Sequence, residues 1–208
     1  MDHKIIVVGI GPGSPDYLPP VAARAIARAT VLVGGGRALA AFAPAGALTK
    51  TIDKDIAGVL TFIESHLAAG DVTVLVSGDP GFHSLLTALR SRFSPDQLEV
   101  IPGISSVQLA FARLASPWQD ARLLSLHGRQ AAAADLAYAP GRPLAILTDG
   151  EHSPRHIARL LIANGWPAAA AVRLCADLSY PGERLAALTL GEAAESDGFE
   201  HCVMVVQA

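Results

Sequence analysis

The stretch Ile5-Ile6-Val7-Val8-Gly9-Ile10-Gly11-Pro12-Gly13 decides how the chain is read. A short β-branched run that ends in glycines reads as a buried strand followed by a tight turn. Glycines at such a turn let backbone approach a ligand closely. The comparison with a dinucleotide fingerprint fails in three ways. The spacing is G-x-G-x-G, not G-x-G-x-x-G. Pro12 removes a backbone donor. The second strand, Val31-Leu32-Val33-Gly34-Gly35-Gly36-Arg37, lacks the acid expected for a ribose. That missing acid also argues against the commonest nucleoside-binding methyltransferase fold. No glycine is followed by Lys and then Ser or Thr, so there is no Walker A loop. A plain tight turn is the alternative for this motif taken alone.

Outward from this turn, short apolar runs alternate with helical patterns. Strands are expected at Ile5–Val8, Thr30–Val33, Val72–Val76 and Leu98–Ile101. Helices are expected at Pro20–Ala29, Asp55–Ala69, Gly81–Phe93 and Ser105–Leu114. Such alternation implies an α/β fold with a mostly parallel sheet covered on both faces. Ser116-Pro117-Trp118 breaks the rhythm and places a domain boundary between residues 116 and 117. The second domain, 117–208, carries an apolar run at Leu123–Leu126 and a helical pattern over Gln130–Tyr138. A strand at Leu144–Leu147 and a helix at Pro154–Asn164 follow. The runs Ala170–Cys175, Arg184–Leu190 and Cys202–Val206 then have short connections. That suggests antiparallel pairing and a mixed second sheet.

Composition narrows the function. The chain has 208 residues, 51% hydrophobic and 17% charged, with a net charge of -3. Disorder is excluded as a description of the whole chain. No basic stripe points to nucleic acid. No run of about 18 apolar residues suggests a membrane span. The start, Met1-Asp2-His3-Lys4, does not resemble a secretory signal, so a cytoplasmic protein is expected. Cys175 and Cys202 read as small core residues. His152 and His156 have helical i, i+4 spacing, but no further ligand set accompanies them, and no metal is expected.

Two more loops follow expected strands and precede expected helices: Ser77-Gly78-Asp79-Pro80-Gly81-Phe82-His83 and Pro102-Gly103-Ile104-Ser105-Ser106. In an open parallel sheet, ligands sit beyond the carboxyl ends of the strands. Three Gly/Pro loops there would line one crevice. Asp79 and Ser105 also read as simple helix caps.

Together with Val8-Gly9-Ile10-Gly11-Pro12-Gly13-Ser14-Pro15-Asp16-Tyr17-Leu18, these loops resemble those of the tetrapyrrole methylase family. Within it, Val33–Arg37, Ser125–Arg129, Leu147–Asp149 and Gly182–Arg184 resemble the branch that methylates precorrin-7 at C5. The resemblance implies two α/β domains that hold S-adenosylmethionine between them, and a corrinoid substrate. It implies cofactor contacts at Gly11, Pro12, Ser77, Gly78, Asp79, Ser105 and Ser106. Leu147, Thr148 and Ala176 or Leu178 are expected from the second domain. A homodimer is implied as well, as is a C15-methylating partner or fused domain. Arg37 and Arg129 suit the carboxylates of such a substrate, because a guanidinium binds them bidentately. His127 suits the proton that must leave the ring, with His83 as a second candidate that could also bind substrate. Asp79 either orients the cofactor or acts as the base. Alternatives are another ring carbon, a non-catalytic macrocycle carrier, and a nicotinamide-dependent oxidoreductase.

Overall fold

The computed structural model describes residues 3–126, 131–199 and 202–207. The chain forms two compact units, Met1–Ser105 and Ser106–Ala208.

The first unit runs β1 (Ile5–Gly9), α1 (Pro20–Ala27), β2 (Val31–Gly34), α2 (Gly36–Phe42), β3 (Leu48–Thr51), α3 (Ile56–Leu67), β4 (Val72–Val76), α4 (Leu86–Arg92), β5 (Leu98–Ile101). The five strands lie in the order β3-β2-β4-β1-β5, all parallel. β4, Val72-Thr73-Val74-Leu75-Val76, is buried along its whole length, as its β-branched and largely apolar run favours. The chain moves one way across the sheet from β1 through β3, then back from β3 through β5. With right-handed crossovers, that reversal sends α1 and α2 to one face and α3 and α4 to the other. The core divides accordingly. Val8, Leu32, Leu75 and Ile101 pack with Ala22, Ile26 and Leu39. Ile5, Val7, Val72 and Val74 pack with Val59, Ile63 and Leu89.

α2 and β3 carry no sequence signal of the kind that marks the other elements. β3 is Leu48-Thr49-Lys50-Thr51, a largely exposed edge strand without an apolar run. α2 begins inside a glycine triplet that reads as loop. α4 begins at Leu86 rather than Gly81, because residues 80–83 form a turn in which His83 takes a left-handed φ of 51°.

The second unit runs α5 (Ser106–Arg113), β6 (Arg122–Ser125), α6 (Ala133–Leu136), β7 (Leu144–Leu147), α7 (Pro154–Ala163), β8 (Ala171–Ala176), β9 (Arg184–Thr189), α8 (Leu190–Ala193), β10 (Cys202–Gln207). Its strands lie in the order β6-β7-β10-β8-β9. β6 and β7 are parallel, while β10 runs antiparallel to both β7 and β8, and β8 antiparallel to β9. The mixed sheet expected for this half is therefore present. α5, which the sequence reading leaves in the first domain, packs against β7 and β10. The other face carries a core of Ile146, Ile157, Leu161, Trp166, Leu174 and Met204. The indole of Trp166 donates to the Leu136 carbonyl at 2.8 Å.

Among the described residues, no helix is long and apolar enough to cross a membrane. None of their His, Cys, Asp and Glu side chains group in threes or more to hold a metal. His152 instead faces the Asp149 carboxylate at 3.2 Å. Cys175 and Cys202 are buried. Burial pushes the Cys175 thiol up to about 11 and the Cys202 thiol up to about 12. Both therefore stay protonated at pH 8 and are poor nucleophiles. A chromogenic disulfide reagent at pH 8 should leave both thiols unlabelled in the folded protein and label both in denaturant. Fast labelling of the native chain would contradict this core placement.

Candidate functional site

In the first unit, β1 lies between β4 and β5. The loops after these three strands therefore emerge side by side at one sheet edge. The chain leaves β1 toward the α1 face and leaves β4 toward the α4 face. Their outgoing segments diverge, the arrangement that opens a crevice at the carboxyl ends of parallel strands. Ile10 N–H donates to the Val76 carbonyl at 3.0 Å. Gly11 and Gly78 then exchange both backbone bonds, Gly11 N–H to Gly78 O at 3.3 Å and Gly78 N–H to Gly11 O at 2.8 Å. Both glycines are left-handed, with φ of 77° and 68°.

The third loop meets the other two through bare backbone. A Cβ on Gly9 would lie 2.6 Å from Gly103 N and 2.8 Å from Gly78 O. A Cβ on Gly103 would lie 2.8 Å from the Gly9 carbonyl carbon and closer still to Gly78 O. Asp79 staples the assembly. Its Oδ1 accepts from Gly81 N–H at 2.8 Å and its Oδ2 from Gly103 N–H at 3.1 Å. Ser105 is buried, 8% exposed, and close beside Gly78. Ser77 is exposed and Pro12 half-buried. Ser106 is the first residue of α5 in the second unit.

This rim holds no lysine or arginine over residues 9–14, 77–85 and 102–105. Asp79 is its single acid, and both carboxylate oxygens are already committed to backbone donors. A pyrophosphate would find no cationic side chain here. A neutral or cationic nucleoside finds glycine backbone, a buried serine and one nearby negative charge. A groove beneath α1, lined by Ile6, Arg24, Arg28, Thr73 and Glu99, takes in the amino-terminal half of the same sheet and is not this site.

In the second unit, β6, β7 and β8 run in one direction, so Ser125, Leu147 and Ala176 end at a common edge. Thr148 is only 7% exposed. Its hydroxyl donates to Cys202 O at 2.9 Å and accepts from Cys202 N–H at 3.2 Å, which extends the β7–β10 ladder. Leu147 is half-buried. Leu178, 5% exposed, stands between two left-handed residues, Asp177 (φ 50°) and Ser179 (φ 73°). Such conformations cost about 1–3 kcal/mol each in residues other than glycine and persist only where their surroundings enforce them. Here Tyr180 N–H donates to Asp177 O at 3.0 Å, and Ser179 N–H donates to the Glu183 carboxylate at 2.8 Å. Arg113, the last residue of α5, donates to the same carboxylate through Nε and Nη2. The Arg113 guanidinium holds the Glu183 carboxyl below the usual carboxylate range.

Of the residues singled out from sequence, Gly11, Gly78, Asp79 and Ser105 stand together on the first unit's rim. Arg37 is exposed in the first turn of α2 rather than in a loop, because the helix begins at Gly36. His83 is exposed, its ring edge-on to Phe82 with centroids 4.6 Å apart. His127 and Arg129 lie outside the described residues. Gly9 and Gly103, as contact points, and Arg113 are additions that the structure makes to the candidate residues. A glycine closing a β-branched run was a usable signal for Gly9. Nothing local marks Arg113.

The family model for Tetrapyrrole (Corrin/Porphyrin) Methylases matches residues 4–194. The cobalt-precorrin-7 C(5)-methyltransferase of Salmonella typhimurium is 39% identical over 161 residues, covering 77% of this chain and 79% of that protein. The crystal structure of the cobalamin-biosynthesis precorrin-6Y methylase of Archaeoglobus fulgidus is 25% identical, with a TM-score of 0.75 over 99% of this chain and 98% of that one. The uroporphyrin-III C-methyltransferase of Thermus thermophilus, solved with S-adenosylhomocysteine, is 22% identical and matches in fold, with a TM-score of 0.79 over 98% of this chain and 97% of that one.

Gly103→Ala should lower unfolding free energy by about 3 kcal/mol, since backbone on both sides blocks the methyl group. Gly36→Ala, with open space around it, should change it by less than about 1 kcal/mol. Denaturant titration of both variants checks this, and equal stabilities would contradict the backbone contact.

Proposed function

Because this chain belongs to the tetrapyrrole (corrin/porphyrin) methylase family, we propose that it methylates a corrin precursor from S-adenosylmethionine, at C5 of precorrin-7 or its cobalt form. The observation that carries the cofactor assignment is the glycine-walled rim, free of cationic side chains, with one stapled carboxylate. The relatives' names support the substrate. The sulfonium group supplies an already activated methyl carbon, so the protein's work is largely positioning.

The residues divide that work as follows. Gly11, Pro12, Ser77, Gly78 and Ser105 present the surface on which the nucleoside rests. Asp79 orients that surface through Gly81 and Gly103, and its engaged oxygens favour this role over proton abstraction. Ser106 contributes from the start of α5. Leu147 and Leu178 offer apolar contact. Thr148 offers its backbone carbonyl, since Cys202 engages both its hydroxyl and its N–H. Arg37 and Arg129 receive the substrate's carboxylates. An imidazole nitrogen of His127, or of His83, takes the proton released as the new carbon–carbon bond forms. The same reading carries a cytoplasmic homodimer that works beside, or fused to, a C15-methylating domain.

Incubation with S-adenosylmethionine and cobalt-precorrin-7 should add one methylene unit to the substrate mass, with the new methyl at C5 by NMR. A product methylated elsewhere would move the assignment to another ring carbon. Calorimetry should show binding of S-adenosylhomocysteine and none of NAD; the reverse would overturn the reading. Asp79→Ala should weaken S-adenosylhomocysteine binding about tenfold by releasing Gly103 from the staple.

A further inference from the structure

We propose that Arg113 and Glu183 form a clasp that positions Leu178 for the cofactor, which makes them positioning residues rather than parts of an ordinary surface ion pair. This rests on the methyltransferase reading given above and deepens it.

The β8–β9 ladder does not need the loop that carries the clasp. Ala176 pairs directly with Arg184, so residues 177–183 all lie outside the ladder. Antiparallel neighbours can be joined by a two-residue turn. The extra length is folded back on itself: Tyr180 N–H reaches Asp177 O, and Glu183 N–H reaches Tyr180 O, each at 3.0 Å. This leaves Asp177 and Ser179 left-handed on either side of a buried leucine. Neither is glycine, so the conformation must be imposed from outside the pair. The Glu183 carboxylate imposes it, accepting the Ser179 N–H at 2.8 Å.

Glu183 is fixed in turn by the guanidinium fork of Arg113, from a residue 70 positions away in the chain. The two side chains are 34% and 22% exposed, less open to water than the Arg92–Glu64 pair at 45% and 54%. A fork on a half-shielded carboxylate is directional as well as attractive. Arg113 also ends α5, whose packing on β7 and β10 ties it to the edge that carries Leu147. Removing either charge breaks the fork that fixes residue 183, loosens its hold on Ser179 N–H, lets residues 177–179 relax, and displaces Leu178. The ladder itself, and the core beneath it, keep their contacts.

The test uses the full chain and four proteins: unaltered, Arg113→Met, Arg113→Lys and Glu183→Gln. Each is measured for S-adenosylhomocysteine affinity, for KM and kcat with S-adenosylmethionine, and for thermal midpoint. Arg113→Met and Glu183→Gln should raise both Kd and KM about tenfold while kcat moves less than about twofold. Arg113→Lys, which keeps the charge without the fork, should fall between Met and the unaltered chain. Unchanged affinity in the Met and Gln variants overturns the clasp. So does a loss that follows the thermal midpoint with no recovery by lysine. If Arg113→Met does not fold, the Lys and Gln variants decide by the same affinity criterion. Failure of the unaltered chain to bind S-adenosylhomocysteine would instead overturn the methyltransferase reading, and the two failures are thereby told apart.

Discussion

Gly9 and Gly103 bring three strand-end loops into contact, with each other and with the Gly78 carbonyl, at distances that no Cβ permits. The rest of the rim depends on that approach. Once the loops touch, the Asp79 carboxylate can reach both its own turn and the neighbouring loop. Gly11 and Gly78 can then form an antiparallel bridge just beyond the parallel β1–β4 pair. The left-handed conformation of these two residues is open to glycine at little cost and to other residues only with strain. The candidate site is thus built from an absence of side chains, which also leaves it without lysine or arginine.

The rim also differs in its turn chemistry from the dinucleotide fingerprint. A dinucleotide site concentrates positive potential from a helix amino terminus on a pyrophosphate. Here Pro12 interrupts the first turn, and the rim's single acid, Asp79, has no lysine or arginine beside it over residues 9–14, 77–85 and 102–105. A rim of this kind tolerates a positively charged ligand and gains little from a phosphate. Methyl transfer from a sulfonium asks for little more than alignment, so such a surface suffices without an array of catalytic side chains.

The second unit solves its own problem differently. Its sheet is mixed, so only β6, β7 and β8 deliver carboxyl ends to one edge. Thr148 spends its hydroxyl on the ladder, and Leu178 is held by a loop longer than its strands require. Rigidity there comes from charge and hydrogen bonding rather than from glycine packing, which makes it sensitive to single side chains.

The runs Val72–Val76 and Ile5–Val8 marked buried strands by themselves, and their alternation with helical patterns made the sheet parallel, because such a sheet is covered on both faces. The glycine-proline turns were equally readable, since their backbone demands are local. Edge strand β3 was not, as an exposed LTKT stretch has no periodic apolar signal. The meeting of Gly9 with Gly103, the reach of Asp79 to a loop 24 residues on, and the hold of Arg113 on Glu183 were decided only by the tertiary structure. Each joins segments whose proximity is set by strand order and helix packing, and no local pattern names the partner.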